Sequence, residues 1–235
     1  MFASTTTIAG WVEAYGQGFY QCNTTGAYLR VAAGVNTDSG YVTSAHATAW
    51  AAMVATINGW FGAQGYGSRI SAAGGLDAEQ AWAAVSAVRS WAAGYGSGNG
   101  AYYDFGSADG CSHSSYATYP GLQCPDGRPP AYTWYQDDYW YVSWGAPAAF
   151  PLPEVYDSYT YTLPNGNITD YMANQWEMIR LYGYHYKTST PILQGTMSTA
   201  GAISPSAAWT DLYNSVNAYS PAQGNVTYAT YIPAL

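Results

Sequence analysis

An α/β fold built on a parallel sheet is predicted by three features of the sequence. The chain has 235 residues, a length that suits one barrel-sized domain over residues 1–235. Short apolar segments alternate with stretches of helical periodicity, which is the pattern of repeated β-α units. The segments are mostly apolar throughout, as strands covered on both faces are. We therefore expect a TIM-type (β/α)8-like barrel.

The first half of the chain predicts three helices and three strands. The first helix, Thr7–Tyr20, has apolar residues at helical spacing, namely Ile8, Trp11, Val12, Tyr15 and Phe19. A second helix begins at Ser44 and ends in the glycines after Trp60, and a third covers Ala78–Ala93. The strands between them are predicted over Ala27–Gly34, Arg69–Leu76 and Ala101–Gly106.

The second half of the chain contains two apolar, aromatic runs that predict central strands, Tyr139–Gly145 and Leu152–Tyr156. Only six residues rich in Ala and Pro separate them, too few for a full helix. Thr169–Lys187 has helical periodicity, and the Ser204–Pro205 pair is typical of the N-cap and first position of another helix. The last two strands are predicted over Ile192–Ser198 and Val226–Pro233.

The number of predicted strands is one short of a closed eight-stranded barrel. Seven strands are predicted and the chain begins on a helix, so the missing strand would precede that helix. Cys22 is left over if Cys111 pairs with Cys124, and an odd cysteine in a secreted protein needs a partner. We therefore hypothesise that the barrel lacks its first strand or borrows it from another chain. The alternative is an open α/β sheet with a free Cys22.

Composition argues against two classes of partner. Charged residues make up 9% of the chain, the net charge is -8, and only six residues are Lys or Arg. Without a cluster of basic side chains, we expect no nucleic-acid binding. No apolar run approaches the roughly 18 residues of a spanning helix, so we expect no membrane insertion.

The motifs predict no cofactor and no metal site. The three histidines, His46, His113 and His185, are isolated in the sequence and form no zinc-binding pattern. No glycine-rich loop has the strand-to-helix context of a dinucleotide site, and no serine lies in a G-x-S-x-G motif.

Several features favour a secreted or cell-surface protein. Cys111 and Cys124 bracket a loop rich in Gly, Ser and Pro, a spacing that suits a disulfide. Asn23, Asn167 and Asn225 stand in N-x-[ST] sequons and are possible N-glycosylation sites. Residues 1–10 have neither the basic nor the apolar region of a signal peptide, so an export signal would have been removed or the gene product cut.

Acidic residues at the predicted strand ends are the candidates for catalysis. The active site of a (β/α) barrel lies at the carboxyl ends of its strands, where Asp77, Glu79 and Glu154 would stand. Glycosidases use two carboxyl groups that flank the sugar, one as general acid and the other as nucleophile or base. Alternatively, Asp77 caps the following helix with Glu79 in its first turn, and Glu154 is a buried structural carboxylate bonded to Tyr or Trp donors.

Six further residues are predicted to contact a substrate. Aromatic rings offer flat faces to sugars, and polar groups at strand ends can bind hydroxyls, whereas the alternative for the tryptophans is a place in the core. The candidates are Asn36, Asp104, Trp134, Trp144, Tyr156 and Gln194.

Four segments carry a resemblance to a known family: AGGLDAEQAW (73–82), YYDFGSADGC (102–111), YQDDYWYVSWGAPAAFPLPEVY (135–156) and NQWEMIRLYGY (174–184). On these the chain resembles uncharacterised secreted glycoside-hydrolase-like (β/α)-barrel proteins of actinobacteria and related soil bacteria. The resemblance implies an upstream segment with one strand and one cysteine. Separately, LDAE (76–79) is similar to the D-x-E of lysozyme-like muramidase barrels, which implies that Glu79 is the general acid and Asp77 its electrostatic partner.

Two functions are compatible with these observations. The first is a glycoside hydrolase that acts on a cell-wall or environmental polysaccharide, with Glu79 as acid and Glu154 or Asp77 as nucleophile or base. The second is a non-catalytic extracellular protein that binds glycans or self-assembles as a structural surface component. The low charge, the 25 tyrosines and an unclosed sheet edge favour the second.

Overall fold

The computed structural model describes residues 3–38, 42–98, 100–108, 110–113, 115–125, 132–155, 160–162, 166–187, 193–194, 197–198, 203–218, 226 and 231–232. Within these residues the protein is a mixed α/β molecule with a four-stranded parallel sheet and six α-helices. The α-helices are α1 (Thr5–Cys22), α2 (Ser44–Ala63), α3 (Val85–Gly96), α4 (Gln136–Trp140), α5 (Tyr171–Lys187) and α6 (Pro205–Asn217).

The parallel sheet is formed by β1 (Leu29–Asn36), β2 (Ile70–Asp77), β3 (Tyr102–Asp104) and β6 (Ala149–Pro151), in the order β1-β2-β3-β6. The predicted strands in the first half of the chain are therefore confirmed. Short strands outside this sheet are β4 (Gln123–Cys124), β5 (Trp134–Tyr135), β7 (Thr160–Thr162), β8 (Ile168–Asp170), β9 (Met197–Ser198) and β10 (Tyr231–Ile232). Strands β9 and β10 pair in parallel and fall inside the last two predicted strands. Closure of all these strands into one barrel stays a prediction.

Capping side chains begin several of the helices. The Ser4 hydroxyl oxygen accepts from the Thr7 N–H at 3.1 Å, and the Ser204 hydroxyl oxygen accepts from the Ala207 N–H at 3.2 Å, with Pro205 in the first turn. Each bond satisfies a backbone donor that the first helical turn leaves open. The prediction that α6 begins at the Ser204–Pro205 pair is confirmed.

The two faces of the parallel sheet have different coverings. On one face, alternate residues of each strand pack against α1, α2 and α3 and form the main core. This core includes Ile57, Phe61, Ile70, Leu76, Val88, Trp91 and Tyr102. The opposite face carries a smaller cluster of Ala73, Tyr103 and Leu152, against which Ala32, Phe105 and Phe150 pack half-buried. Because side chains alternate along a strand, Asn36 and Asp77 lie on this second face.

The predicted strand Tyr139–Gly145 is wrong. The chain there is helical, with α4 followed by a π-helix over Tyr141–Gly145. Asp138 Oδ2 accepts from the Tyr135 N–H at 2.9 Å, which closes the start of α4. Because residues 139–145 are buried on most sides, the run shows no polar face, and a short apolar run of this kind cannot be told from a strand by periodicity.

The predicted strand Leu152–Tyr156 is also misplaced. The strand is β6, and residues 152–155 continue without a ladder, apart from a bond from the Leu152 N–H to the Asp104 carbonyl at 2.7 Å. Pro153 has no N–H to give to a neighbouring strand, so pairing stops there. Glu154 therefore lies three residues beyond the end of β6, and Tyr156 lies outside the described residues.

The helix predicted over Ala78–Ala93 begins later, at Val85, with Ala84 as its N-cap. Asp77 is the last residue of β2, and residues 78–84 form the connection. The alternative in which Asp77 caps this helix and Glu79 lies in its first turn is therefore wrong. Both carboxylates stand at the strand end instead.

The N-terminal helix is only partly as predicted. α1 confirms the helix, but it packs through Val12 and Gly16, because the absence of a side chain at Gly16 leaves room for the Phe61 ring. Trp11 and Tyr15 of the predicted apolar stripe are 63% and 61% exposed. The helices among the described residues are all too short or too polar to cross a membrane.

The predicted disulfide between Cys111 and Cys124 is confirmed, with 13 residues of sequence separation. A disulfide is consistent with an oxidising, extracellular setting. Cys22 is free and exposed at the end of α1. A partner for Cys22 in an upstream segment stays a prediction.

Candidate functional site

Four carboxylates gather at the carboxyl ends of the parallel strands. Asp77 ends β2, Asp104 ends β3, Glu79 follows β2 by two residues and Glu154 follows β6 by three. We call these four residues the strand-end cluster. The carboxyl ends of parallel strands are where α/β proteins place their ligand sites.

Burial and mutual repulsion raise the pKa values of Glu154 and Asp77 in this cluster. Burial, with the charges of Asp77, Glu79 and Asp104 added to it, raises the pKa of Glu154 to about 8. Burial also raises the pKa of Asp77 to about 7, with Asp104 adding to the effect. Asp77, Glu79 and Glu154 are each half-buried, so they keep contact with water. Glu154 is therefore coupled electrostatically to Asp77 and Glu79.

Asp104 is the fully buried member of the cluster. Its Oδ2 accepts from the Ser143 hydroxyl at 2.7 Å, and its Oδ1 accepts from the N–H groups of Gly106 at 3.2 Å and Ala78 at 3.4 Å. Burial, with the charge of Glu79 adding to it, raises the pKa of Asp104 to about 7 against the opposing effect of the three donors. With these partners and no exposed surface, Asp104 has no surface to offer to a ligand.

The loop that carries Asp77 and Glu79 is fixed from both sides. The Thr37 hydroxyl donates to the Asp77 carbonyl at 2.8 Å, and the Glu79 N–H donates to the Thr37 hydroxyl oxygen at 3.3 Å. On the other side, Gly106 packs so closely on the backbone of Ala78 that a side chain at Gly106 has no room. The two carboxylates are therefore held on a rigid connection.

The Phe105 ring, which the sequence did not single out, lies on the sheet beside the strand-end cluster. Phe105 is half-buried, and its ring lies over Gly34 and Gly75, which are paired in the register of β1 and β2. A Cβ at either glycine would stand about 2.8 Å from the Phe105 ring, so only glycine fits there. The signal was available: Phe105 follows Asp104 directly and, by strand alternation, faces the side of Asp77.

The predicted substrate-contact residues are divided between the site and the core. Asn36 is exposed at the end of β1, opposite Asp77 in the register, with its Oδ1 accepting from the Asp38 N–H at 2.6 Å. Gln194 is half-buried in an isolated bridge, apart from the four-stranded sheet. Tyr156 lies outside the described residues.

Trp134 and Trp144 are core residues in this structure. Trp134 is fully buried, packs against Tyr139 in a tilted arrangement with ring centroids 4.7 Å apart, and donates its indole N–H to the Ala83 carbonyl at 3.1 Å. Trp144 is 8% exposed and packs edge-on to Trp176. Neither ring offers an open face for a sugar, so the core alternative describes both.

The predicted glycosylation sites have different surroundings. Asn167 is exposed. Asn23 is half-buried, and its amide donates to the Ala27 carbonyl at 2.7 Å. Asn225 lies outside the described residues. Glycosylation stays a prediction.

The chemistry available at the site is that of proton transfer between carboxyl groups. In the described part of the chain, no three residues among His, Cys, Asp and Glu are arranged to hold a metal ion. A carboxyl group whose pKa lies near 8 beside one nearer 7 can give a proton while its neighbour accepts one or attacks.

No protein-family model matches the sequence, and neither a curated protein nor a solved structure shows significant similarity to the chain.

Proposed function

We propose that the protein is an extracellular glycoside hydrolase that acts on a cell-wall or environmental polysaccharide. The observation that carries this proposal is the strand-end cluster, in which half-buried Asp77, Glu79 and Glu154 are coupled at one end of a parallel sheet. Two carboxyl groups with different proton affinities are the minimal equipment for cleaving a glycosidic bond.

Glu154 is the general acid in this proposal. Its raised pKa of about 8 keeps it protonated at neutral pH, ready to protonate the leaving oxygen. Asp77 or Glu79 then serves as nucleophile or base from the end of β2, which β3 separates from β6 in the sheet. This assignment differs from the one implied by the LDAE segment, where Glu79 is the acid, because Glu154 is the group raised by the charges of all three neighbours.

The substrate contacts follow from the same face of the sheet. Phe105 offers a half-buried ring beside the carboxylates, and Asn36 offers an exposed amide next to Asp77. An aromatic ring with polar groups beside it suits a sugar ring, which has apolar C–H faces and polar edges. The disulfide supports secretion as the setting in which such a substrate is met.

The test is hydrolysis of a panel of polysaccharides by the wild type and by Glu154→Gln, Glu79→Gln and Asp77→Asn, measured as released reducing ends. We expect Glu154→Gln to lower the rate by about 10²–10⁴-fold, the usual contribution of a general acid. Glu13→Gln, on α1 away from the strand ends, is the matched control. Undiminished hydrolysis in both glutamate variants, or none by the wild type on any polysaccharide, contradicts the proposal.

A non-catalytic, self-assembling surface protein is the second candidate. It is favoured by the position of β1 as the outer strand of the described four-stranded sheet, and by Trp11 and Tyr15, which α1 exposes to solvent. Outer strands and exposed aromatic rings are common contact surfaces between copies. Sedimentation of the wild type and of a Trp11→Ala/Tyr15→Ala double variant tests it: a wild type that stays monomeric at high concentration contradicts it.

A further inference from the structure

The π-helix lies against β3 and is held there by two side chains of that strand. The Tyr102 hydroxyl donates to the Val142 carbonyl at 2.6 Å, and the Ser143 hydroxyl donates to Asp104 Oδ2 at 2.7 Å. The bond from the Ala146 N–H to the Tyr141 carbonyl at 2.8 Å spans five residues, as π-helical bonds do. Ser143 and Asp104 are both fully buried.

Asp104 also contacts the loop of Asp77 and Glu79. Its second oxygen, Oδ1, accepts from the N–H of Ala78, which lies between Asp77 and Glu79 in the sequence. Gly106, whose N–H donates to the same oxygen, packs directly on Ala78. A continuous series of contacts therefore runs from the π-helix, through a buried carboxylate, to the loop that carries two of the proposed catalytic groups.

Four titratable groups are coupled electrostatically to Asp104. Asp77 stands on β2, Glu79 on the connection that follows it, and Glu154 after β6, and each is coupled to Asp104. On β3 itself the phenol of Tyr102 is coupled to Asp104. From the π-helix, the neutral hydroxyl of Ser143 makes the direct contact.

We propose that Ser143 and Asp104 are positioning residues that fix the loop of Asp77 and Glu79 and decide which neighbouring carboxyl group keeps its proton. A hydroxyl that donates to a carboxylate stabilises its charged form. A charged Asp104 in turn repels negative charge on Glu154 and so favours the protonated acid there. The catalytic meaning of this pair rests on the proposed hydrolase function, whereas the proton distribution does not.

The sign of the effect of each substitution follows directly. Asp104→Asn removes the charge, so Glu154 loses its proton at lower pH. Ser143→Ala removes a donor to the carboxylate, so Asp104 is neutral over a wider pH range, and Glu154 shifts in the same direction by a smaller amount. Ser143→Thr keeps a hydroxyl at the same position and restores the wild-type titration.

The experiment is a pH titration of side-chain carboxyl carbons by nuclear magnetic resonance on the intact protein without substrate. The signal of Glu154 is assigned from its loss in Glu154→Gln. We expect its midpoint to fall by about one pH unit in Asp104→Asn, the scale of the effect of one neighbouring charge. Ser215→Ala is the matched control. Ser215 lies on α6, is equally buried, and donates to the Ala173 carbonyl of α5 at 2.9 Å.

The outcomes separate this inference from the proposed function. An unchanged Glu154 midpoint in both Asp104→Asn and Ser143→Ala overturns the inference, as does an equal shift in Ser215→Ala. If Ser143→Ala fails to fold, Asp104→Asn and Ser143→Thr decide. If the wild type hydrolyses no polysaccharide, but the titration midpoint of Glu154 is lower in Asp104→Asn than in the wild type, only the hydrolase proposal is overturned.

Discussion

Two groups of acidic residues in this protein are built from the same side chains but in opposite surroundings. In the paired cluster, which we define as Asp137, Asp138, Arg89 and Lys187, each carboxylate meets a cation. Arg89 Nη1 lies 3.0 Å from Asp137 Oδ2 and 2.9 Å from Asp138 Oδ1, and Lys187 Nζ lies 2.7 Å from Asp137 Oδ1. In the strand-end cluster, Asp77, Asp104 and Glu154 form no ion pair with any described residue.

The chain has six basic residues, and three of them form ion pairs away from the strand-end cluster. Arg89 and Lys187 join α3, α4 and α5 through the paired cluster, and Arg180 neutralises the buried Glu177 within α5. At the strand ends no cation offsets burial and repulsion, which cost stability and raise the pKa values of Glu154 and Asp77 to about 8 and about 7. The same comparison gives four predictions, from the largest expected effect to the smallest.

Removing the centre of the paired cluster has the largest effect. Asp137→Ala leaves Arg89 and Lys187 without their shared carboxylate and also removes the acceptor of the Tyr182 hydroxyl. We expect the free energy of unfolding to fall by about 3 kcal/mol, since Asp137 is buried while its cations keep some solvent contact. Urea unfolding at pH 7 measures it, with Asp211→Ala on α6 as control. A loss below about 1 kcal/mol would mean that this pairing is not structural.

The strand-end cluster makes stability depend on pH. The folded pKa values of Asp77 and Glu154, about 7 and about 8, lie above those of the unfolded chain, so the folded state binds protons more tightly. Their contribution is fully present below about pH 4 and is lost as the pH rises through 7 and 8. We expect the free energy of unfolding to fall by about 2–3 kcal/mol between pH 5 and pH 9.

That pH dependence is measured by urea unfolding at intervals across the range in constant salt. The Asp77→Asn/Glu154→Gln double variant is the control, and its curve is expected to be flatter. A wild-type curve that rises from pH 5 to pH 9 would show that paired carboxylates dominate.

Single neutral substitutions have opposite signs in the two clusters. Glu154→Gln relieves repulsion and is expected to raise the free energy of unfolding by about 1–2 kcal/mol at pH 9, with little change at pH 5. Asp138→Asn weakens the bond to Arg89 and is expected to lower it by about 1 kcal/mol. Parallel thermal and urea unfolding of both variants checks this, and equal signs would remove the distinction between the clusters.

The smallest expected effect comes from a change that keeps the charge. In Arg89→Lys, one ammonium group replaces a guanidinium that bridges Asp137 and Asp138 and lies 4.1 Å over the Tyr141 ring. We expect a loss of about 0.5–1 kcal/mol in the free energy of unfolding, because the planar stack is lost while the attraction remains. A loss as large as that of Asp137→Ala would show that the stack, and not the charge, holds the cluster.

The sequence was sufficient to predict the parallel sheet and the place of Asp77. Strands β1 and β2 are short apolar runs between helices with recognisable caps, and the D-x-E spacing put two carboxylates at one strand end. The alternation of elements is local information, so it survives without knowledge of tertiary contacts.

The region from Tyr139 to Glu154 could not be predicted because its conformation depends on distant partners. Trp140 packs on Gly145 and on Gly183 of α5, and Tyr102 of β3 holds the Val142 carbonyl. These long-range contacts bury the run on most sides and remove the periodicity that would have identified a helix. The roles of Ser143 and Phe105 depend on the same tertiary placement.

The π-helix has a consequence for how the chain tolerates changes in length. A π-turn holds one residue more than an α-turn, so deletion of one residue within 141–145 would leave an ordinary α-helix that continues α4. When the deleted residue is Tyr141 or Val142, the residues after it would rotate by about 100° and carry the Ser143 hydroxyl away from Asp104. The bond from Ser143 to Asp104, on which the proposed proton distribution rests, thus depends on a single inserted residue.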